Sequence, residues 1–205
     1  MFTLSAKQIT KWRDHTCVLS AVDFELSAGE GLWVRGDNGA GKTSLLRIVA
    51  GLSNADSGEI EWNGDNIDSV GKSYSDSLHY ISHNSSLIPH LSVLETVQML
   101  FPLLGAGATS DIEMILADAG LGGFESQSVS TLSAGQKQRL SLSRLLVHNK
   151  HLWILDEPQS HLDLSGRAWL QTLISKHLLN NGLAVIVSHA GELPIPKLRM
   201  LELSK

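Results

Sequence analysis

The chain has 205 residues, of which 42% are hydrophobic and 18% charged, as expected of one globular domain with a substantial core. Lysine and arginine together number 16 against 21 aspartates and glutamates, and the net charge of −5 argues against nucleic acid as a partner. Cys17 is the single cysteine, so an internal disulfide is excluded and a reducing compartment is expected.

The most apolar parts of the sequence do not fit a membrane-inserted segment. Residues 1–8 lack the apolar run of a signal peptide. The window 93–108 is interrupted by Glu95, Gln98 and Pro102 and falls short of the ~20 apolar residues that a spanning helix needs. We therefore expect any membrane association to come through a partner protein.

Residues 1–35 have the pattern of short strands joined by turns. Apolar and polar residues alternate over 2–9 and 18–26, which predicts two strands, and we place Trp12, Arg13, Asp14 and His15 in the connection between them. Residues 58–62 predict a strand that ends in the hairpin turn Asn63-Gly64. Residues 78–82 predict a further buried strand.

A glycine-rich segment at 36–44 fits the pattern G-x-x-x-x-G-K-[ST] without a mismatch. Residues 31–35 predict a strand before it, and residues 43–50 predict a helix after it. Glycine backbones can wrap around phosphates, Lys42 supplies a cation for the β- and γ-phosphates, and the Thr43 hydroxyl can ligate Mg²⁺. The segment therefore predicts a site for a nucleoside triphosphate at a helix N-terminus.

The middle of the chain has sequence patterns that are typical of helices. Capping-box patterns at 92–95 and 110–113 each open a helical run, and Pro102 and the glycines at 105 and 120 end these runs. We interpret 84–147 as a mainly helical insert in a core made of 1–83 and 148–205.

The last third of the chain returns to alternating strands and helices. The apolar residues 151–155 predict a strand that ends in Asp156 and Glu157, followed by a helix over 165–179 and strands over 183–188 and 198–203. Such alternation predicts a parallel sheet with helical crossovers. Asp156 is then placed beside the phosphate loop as a partner of Mg²⁺, and Glu157 can polarise a water molecule for attack on the γ-phosphate.

The segment Leu-Ser-Ala-Gly-Gln at 132–136 has two interpretations. Ser133 and Gln136 form a capping box, which alone would explain the start of a helix over 137–147. A capped helix start is also an anion site, and Gly135 would let a phosphate approach the backbone. The residues alone leave both interpretations open.

Together these segments resemble the nucleotide-binding cassette of ABC transporters. The resemblance rests on the phosphate loop, on residues 132–136, on Leu-Asp-Glu-Pro at 155–158, on Ser-His-Leu-Asp at 160–163 and on His189. Their order and spacing cover the whole chain. The resemblance implies an α/β fold of the P-loop NTPase (RecA-like) kind, with a parallel sheet core, an N-terminal antiparallel β subdomain and an inserted helical subdomain.

The resemblance also implies partners and roles. Two cassettes would pair head to tail around two ATP molecules and would serve an integral membrane permease subunit. Ser133 and Gly135 of one copy would contact the γ-phosphate on the loop of the other, and Asp163 would cross the interface. The implied ATP contacts are Gly36, Asp37, Asn38, Gly39, Ala40, Gly41, Lys42, Thr43, Ser44, Ser133, Gly135, Gln136, Asp163 and Trp12; the implied catalytic residues are Glu157, His189 and Lys42; and the implied Mg²⁺ contacts are Thr43, Asp156 and His83.

Two positions depart from the family pattern. The family usually has a glutamine after the strand 78–82, where this chain has His83. It also usually has an aromatic residue that stacks on adenine where this chain has Arg13, with Trp12 beside it. Either Trp12 stacks after a shift of one residue, or Arg13 lies on the base as a cation. The remaining histidines do not form a set of metal ligands, so we expect no metal other than Mg²⁺.

Within the ABC family, the short ATP-binding subunits of the cytochrome c maturation system are the most similar group. The similar segments are 38–43, His83, 132–136 and 152–158. This similarity implies a subunit on the cytoplasmic face of the bacterial inner membrane whose ATP hydrolysis supports heme handling. The alternatives are another ABC exporter, a module that binds ATP without useful hydrolysis, and an ATPase that acts on nucleic acid.

Overall fold

The strands of the chain form two separate sheets. The structure, a computed structural model, describes residues 2–83, 87–103, 112–147, 150–188 and 194–203. In chain order, the strands are β1 (Thr3–Arg13), β2 (Thr16–Ser27), β3 (Gly31–Gly36), β4 (Ser57–Trp62), β5 (Asp65–Asn66), β6 (Leu78–Ile81), β7 (Leu152–Asp156), β8 (Leu183–Val187) and β9 (Leu198–Leu203).

The helices lie between and beyond these strands. They are α1 (Lys42–Val49), α2 (Ile67–Val70), α3 (Lys72–Ser75), α4 (Val93–Leu103), α5 (Ile112–Asp118), α6 (Ala134–Leu142) and α7 (Leu164–Leu179). Short 3₁₀ turns at Val129–Thr131 and Ser143–Leu146 precede and follow α6. In the described part of the chain, every helix is too short or too polar to cross a membrane.

The contacts divide the chain into two compact units. The first unit consists of Met1–Tyr80, Lys150–Glu157 and Gln171–Lys205. The second unit consists of Ile81–Asn149 and Pro158–Leu170. The second unit therefore includes the segment directly after Glu157, which our interpretation of the sequence assigns to the core.

The first sheet is antiparallel and has the order β2-β1-β4-β5. β1 and β2 pair from Thr3 opposite Ser27 to Arg13 opposite Thr16. Our placement of Trp12 and Arg13 in a connection is wrong, because both are strand residues and the turn is limited to the two residues that follow. Register shifts after Ala6, Ile9 and Lys11 interrupt the alternation of apolar and polar residues, so the sequence pattern ends before the strand does.

The second sheet has the order β6-β7-β8-β3-β9. The pairs β7–β8, β8–β3 and β3–β9 are parallel, as the alternation of strands and helices predicts. All residues of β7 and β8 are buried, which explains why both strands are continuous apolar runs in the sequence. The carboxyl ends of these strands lie at one edge of the sheet, where ligands bind in open parallel sheets.

The helix predictions are right in type and differ at the ends. The box at 92–95 is present, since Glu95 N–H donates to the Ser92 hydroxyl and the Ser92 N–H donates to the Glu95 carboxylate. α4 continues through Pro102, which we expected to end it. α6 begins at Ala134, three residues earlier than predicted, and gives way to a 3₁₀ turn at 143. The box at 110–113 begins at a position outside the described residues.

Each unit has its own hydrophobic core. In the first unit, Val34, Leu45 and Ile154 are among the fully buried residues that join α1 to the parallel sheet. In the second unit, Val93 and Leu140 belong to a separate buried cluster. Each such side chain contributes roughly 1.5–3 kcal/mol through burial. The two cores hold the loops that contain the candidate site residues.

Candidate functional site

The phosphate loop joins the end of β3 to the start of α1 in the first unit. Gly41 is the N-cap residue of α1 and has a φ of 87°, and Gly36 has a φ of 143°. A Cβ at Gly36 would lie 2.4 Å from the carbonyl oxygen of Leu203, and one at Gly41 would lie 2.3 Å from that of Val18. Both positions therefore require glycine, which explains the two fixed glycines of the motif.

Lys42 folds back over this loop. Its ammonium donates hydrogen bonds to the carbonyl oxygens of Gly36, at 2.7 Å, and Asp37, at 2.8 Å, and the residue is buried. An ammonium has three donors, so the loop carbonyls use two and the third can serve a phosphate oxygen. The loop thus fixes the cation at the position where the motif predicts it.

The start of α1 presents backbone donors to the same loop. The first intrahelical bond of this turn runs from the N–H of Leu45 to the carbonyl of Gly41, at 2.8 Å. No side chain caps the helix, and its first turn has no acidic residue. No side chain of α1 competes for the N–H groups of the first turn, so these groups and the helix dipole can bind an anion.

Asp156 reaches this helix from the end of β7. The Thr43 hydroxyl donates a hydrogen bond to Oδ2 of Asp156 at 2.9 Å, and Asp156 is only 3% exposed. Burial and the nearby charge of Asp156 raise the pKa of Tyr80 above its ordinary value. A hydroxyl and a carboxylate oxygen at this separation match the oxygen ligands that Mg²⁺ prefers, so the residues present fit that ion.

Glu157 has an unusual backbone conformation. Its φ of 53° lies in the left-handed region, and its N–H donates to the carbonyl of Val187 at 2.9 Å. Such a conformation costs about 1–3 kcal/mol in a residue other than glycine and is typical of functional sites. The bond to the end of β8 therefore holds the backbone of Glu157 at the sheet edge where Asp156 also lies.

A cavity of about 320 Å³ lies against the first residues of the phosphate loop. Its walls come from the carboxyl ends of β3, β8 and β9. The indole N–H of Trp33 donates to the carbonyl of Ser188 at 3.4 Å, and the Arg35 guanidinium lies 4.8 Å from the centre of the Trp33 ring. No sequence motif indicates Trp33, Arg35 or Glu202 as site residues, although their positions at strand ends are a signal that could have indicated them. The lining residues are Trp33, Arg35, Gly36, Asp37, Asn38, Ser188 and Glu202.

The segment 132–136 lies in the second unit and starts α6. Both bonds of the capping box are present: the N–H of Gln136 donates to the Ser133 hydroxyl at 3.2 Å, and the N–H of Ser133 donates to Oε1 of Gln136 at 2.8 Å. Ser133 is exposed. The capping interpretation is confirmed, and contact with an anion stays a prediction.

Asp163 is at the start of α7 in the same unit. Its Oδ1 accepts the N–H of Gly166 at 2.8 Å and a guanidinium N–H of Arg139 at 3.1 Å, although its side chain is 70% exposed. The Gly166 amide, the Ser165 hydroxyl and Arg139 together hold the pKa of Asp163 below its usual range. Asp163 therefore caps α7 within its own chain.

The adenine candidates lie at the end of β1. Trp12 is 52% exposed, and its backbone N–H donates to Oδ2 of Asp56 at 2.6 Å. Arg13 is also exposed. Because successive strand residues point to opposite faces of a sheet, only one of the two can face a given ligand.

The histidines selected from the sequence are spread over the chain. His83 lies in the second unit and is exposed. His189 lies outside the described residues. Within the ranges that the structure describes, no group of three or more His, Cys, Asp or Glu residues could hold a metal ion.

An ATPase site needs a phosphate loop, a cation and ligands for Mg²⁺, and the chain supplies these in residues 36–44, Lys42 and the pair Thr43–Asp156. Comparison with known proteins identifies the protein family. Residues 19–160 match the family described as ABC transporter, and the chain belongs to that family of ATPases. Both the resemblance and the ATPase prediction are thereby confirmed.

Within the ABC transporter family, the chain is similar to a particular group of ATP-binding proteins. The chain is 38% identical over 189 residues to the cytochrome c biogenesis ATP-binding export protein CcmA of Escherichia coli K12, covering 92% of this chain and 90% of that one. It is 43% identical over 187 residues to the protein of the same name from Methylococcus capsulatus, with 91% and 90% covered. The corresponding protein from Xanthomonas axonopodis pv. citri is 40% identical over 201 residues, with 98% and 93% covered.

Solved structures confirm the fold class. An ABC transporter ATP-binding protein from Pyrococcus furiosus superposes with a TM-score of 0.84 at 22% identity, covering 98% of this chain and 97% of that one. An ATP-binding cassette solved as a dimer in a post-hydrolysis state, with ADP and Pi bound, gives a TM-score of 0.82 at 24% identity, with 98% and 94% covered. At these identities the likeness shows the fold alone.

Proposed function

We propose that the chain is the ATP-hydrolysing subunit of an ABC exporter that acts in cytochrome c biogenesis, with heme handling as the process that it energises. The observation that carries this proposal is the 38–43% identity to cytochrome c biogenesis export proteins over nearly the whole chain. The intact set of Lys42, Thr43, Asp156 and Glu157 supports hydrolysis over simple ATP binding. We place the subunit on the cytoplasmic face of the bacterial inner membrane.

The first unit would bind the nucleotide. The phosphate loop 36–44 and the start of α1 would hold the β- and γ-phosphates, with Lys42 as the cation. Thr43 and Asp156 would hold Mg²⁺, and a bound Mg²⁺ would neutralise charge on the phosphate oxygens. His83 would contact this ion or its water in place of the usual glutamine.

Glu157 would act as the base in hydrolysis. Its left-handed backbone is held by the bond to Val187, and the carboxylate that extends from it would orient a water molecule for in-line attack on the γ-phosphate. His189 would hold the γ-phosphate and that water together with Glu157. This role of His189 rests on the family resemblance.

A second copy of the chain would complete the site. Ser133, Gly135 and Gln136 of one copy would contact the γ-phosphate bound to the other, and Asp163 would cross the interface. The start of α6 supports this, because Ser133 is exposed and its hydroxyl, which accepts the N–H of Gln136 as a cap, still has a hydrogen to donate to a phosphate oxygen.

Trp12 would stack on adenine. Its side chain is half exposed near the end of the β1–β2 hairpin. Its backbone N–H is bonded to Asp56, so the backbone that carries the ring is held in place. Arg13 would lie on the opposite face of the strand. It would contact adenine in place of Trp12 only if the base approached from that side.

An integral membrane permease subunit would dock on the helical part, 84–147, near residues 84–100. Ile88 and Met99 support this placement, because both are about 40% exposed hydrophobic side chains in this region (41% and 40%). ATP binding would close the dimer, and closure would move the docked partner. Neither nucleic acid nor direct lipid insertion is part of the proposal.

The test of the function has two parts. A Glu157→Gln variant should bind ATP with unchanged affinity and hydrolyse it roughly 10²- to 10⁴-fold more slowly, measured as steady-state phosphate release. Phosphate release near the parent rate would remove Glu157 from the mechanism. Purification of the chain from native membranes should co-purify one integral subunit, and recovery of DNA instead would favour the nucleic-acid alternative.

A further inference from the structure

The helix α6 and the segment that follows Glu157 are joined by a buried hydrogen bond. The side-chain amide of Gln138, a residue only 8% exposed, donates to the carbonyl oxygen of Pro158 at 2.9 Å. Pro158 itself is buried. Because proline follows Glu157 directly, this bond fixes the backbone on one side of the proposed catalytic base.

Arg139 makes a second connection one residue further along α6. Its guanidinium donates to Oδ1 of Asp163 at 3.1 Å, to the Ser165 hydroxyl at 2.9 Å and to the carbonyl of Ala119 at 3.4 Å. It also lies 5.8 Å from the centre of the Trp169 ring. One side chain thus holds α6, the end of α5 and the start of α7 together.

Two glycines make room for this guanidinium. A Cβ at Gly120 would lie 3.1 Å from one guanidinium nitrogen of Arg139, and a Cβ at Gly166 would lie 3.0 Å from the other. The space around the Arg139 guanidinium, which we call the Arg139 socket, therefore fits a planar group with several donors. A lysine ammonium cannot replace this group.

Gly135 makes a third close approach. A Cβ at this position would lie 2.9 Å from the carbonyl oxygen of His161, which itself has a φ of 64°. The loop 158–163 therefore packs directly on the first turn of α6. All of these contacts lie within the second unit.

We propose that Gln138 and Arg139 are positioning residues for ATP hydrolysis, which fasten the loop 158–163 to the start of α6. This proposal rests on the proposed function. In the paired chains of the proposed function, the start of α6 contacts the triphosphate of the other copy, while the same loop directly follows the chain's own Glu157. The two side chains therefore couple the two ATP sites, so that engagement of one site fixes the catalytic base of the other.

The variant Gln138→Met tests the coupling, because it keeps the length of the side chain and removes the donor. We expect kcat to fall about 10- to 100-fold, since small displacements of a catalytic group have effects of this size. The Hill coefficient for ATP should fall from about 2 towards 1. The Kd for ATP, measured by calorimetry in EDTA, should stay within about twofold, because the phosphate loop belongs to the first unit and Gln138 to the second.

The matched control is Gln127→Met, in which an exposed glutamine of the same unit is changed. It should keep the parent's kcat and Hill coefficient. The positioning role is overturned if Gln138→Met also keeps both within about twofold. If the parent chain itself fails to hydrolyse ATP, the proposed function fails instead, so the two failures are distinguishable.

A double-mutant cycle separates positioning from a general loss of folding. Adding Gln138→Met to Glu157→Gln should lower single-turnover hydrolysis by less than about twofold, because the group that it positions is already inactive. A fully multiplicative loss would show that Gln138 acts independently of Glu157 and would overturn the proposal.

Arg139→Lys provides a readout that does not depend on activity. Lysine keeps the charge but cannot reach Asp163, Ser165 and Ala119 together, so the N–H of Gly166 should exchange with deuterium about 10-fold faster. Unchanged exchange together with unchanged kcat would overturn the role of Arg139.

Discussion

The hydroxyl of Thr43 donates a hydrogen bond of 2.9 Å to Oδ2 of Asp156, although 113 positions separate the two residues in the sequence. The bond joins the first turn of α1 to the carboxyl end of β7. Because β8 lies between β3 and β7 in the sheet, the side chains rather than neighbouring strands make this connection. The two proposed Mg²⁺ ligands are therefore already in contact.

Thr43→Val tests this pair, because valine matches threonine in shape and lacks the hydroxyl. We expect kcat to fall about 100-fold, since a metal ligand supplies several kcal/mol of transition-state stabilisation. The Mg²⁺ concentration that gives half-maximal hydrolysis should rise. Phosphate release at a series of Mg²⁺ concentrations measures both quantities.

Thr16→Val is the matched control, since Thr16 is an exposed residue of β2. It should leave the rate and its Mg²⁺ dependence unchanged. A Thr43→Val protein whose Mg²⁺ dependence equals that of this control would exclude the hydroxyl as a ligand.

Trp12→Ala and Arg13→Ala distinguish the two adenine candidates. Stacking of a base on an aromatic ring contributes about 1–3 kcal/mol, so Trp12→Ala should weaken ATP binding roughly 5- to 150-fold. Arg13→Ala should change the Kd by less than about twofold if Trp12 is the platform. Calorimetric titration with ATP in EDTA measures both, and the reverse order of effects would assign the base to Arg13.

His177 makes the first unit sensitive to acid. Its ring stacks on Trp153 with centres 3.8 Å apart, its Nε2 lies 3.0 Å from the Leu183 carbonyl, and burial lowers its pKa to about 4. The unfolded chain binds this proton below about pH 6.5, whereas the native chain binds it only near pH 4. The free energy of unfolding should therefore fall by about 3 kcal/mol between these pH values.

Urea unfolding at a series of pH values measures this slope. The variant His177→Gln should show a smaller slope between about pH 6.5 and 4, because it lacks the titrating ring. His15→Gln, at an exposed position, should keep the parent's slope. Equal slopes for parent and His177→Gln would show that other groups cause the acid sensitivity.

Local patterns explain which parts of the fold were predictable. The glycines and lysine at 36–42, the apolar strand before Asp156 and the box at Ser133 each depend on residues close in sequence, and each was found there. Pairing across the β1–β2 hairpin is also local, yet its bulges break the alternation, so the sequence pattern places the strand residues Trp12 and Arg13 in the connection.

Contacts between distant segments explain what was not predictable. The Arg139 socket is formed by Ala119, Gly120, Asp163 and Gly166. No pattern within one segment of the sequence shows that these residues surround the same guanidinium. Gln138 and Arg139 do follow the segment 132–136 directly, and this proximity is the signal that could have selected them. The cavity beside the phosphate loop likewise needs three strands from different parts of the chain.

In the proposed function, two copies of the chain enclose ATP between the phosphate loop of one and the start of α6, at Ser133, of the other. Sedimentation velocity of Glu157→Gln, with ATP and Mg²⁺ present, tests it most directly, because the variant should bind ATP without consuming it. We predict a shift from monomer to dimer that ADP does not produce and that Ser133→Arg abolishes. A Glu157→Gln chain that stays monomeric with bound ATP, even together with its membrane subunit, would contradict the claim.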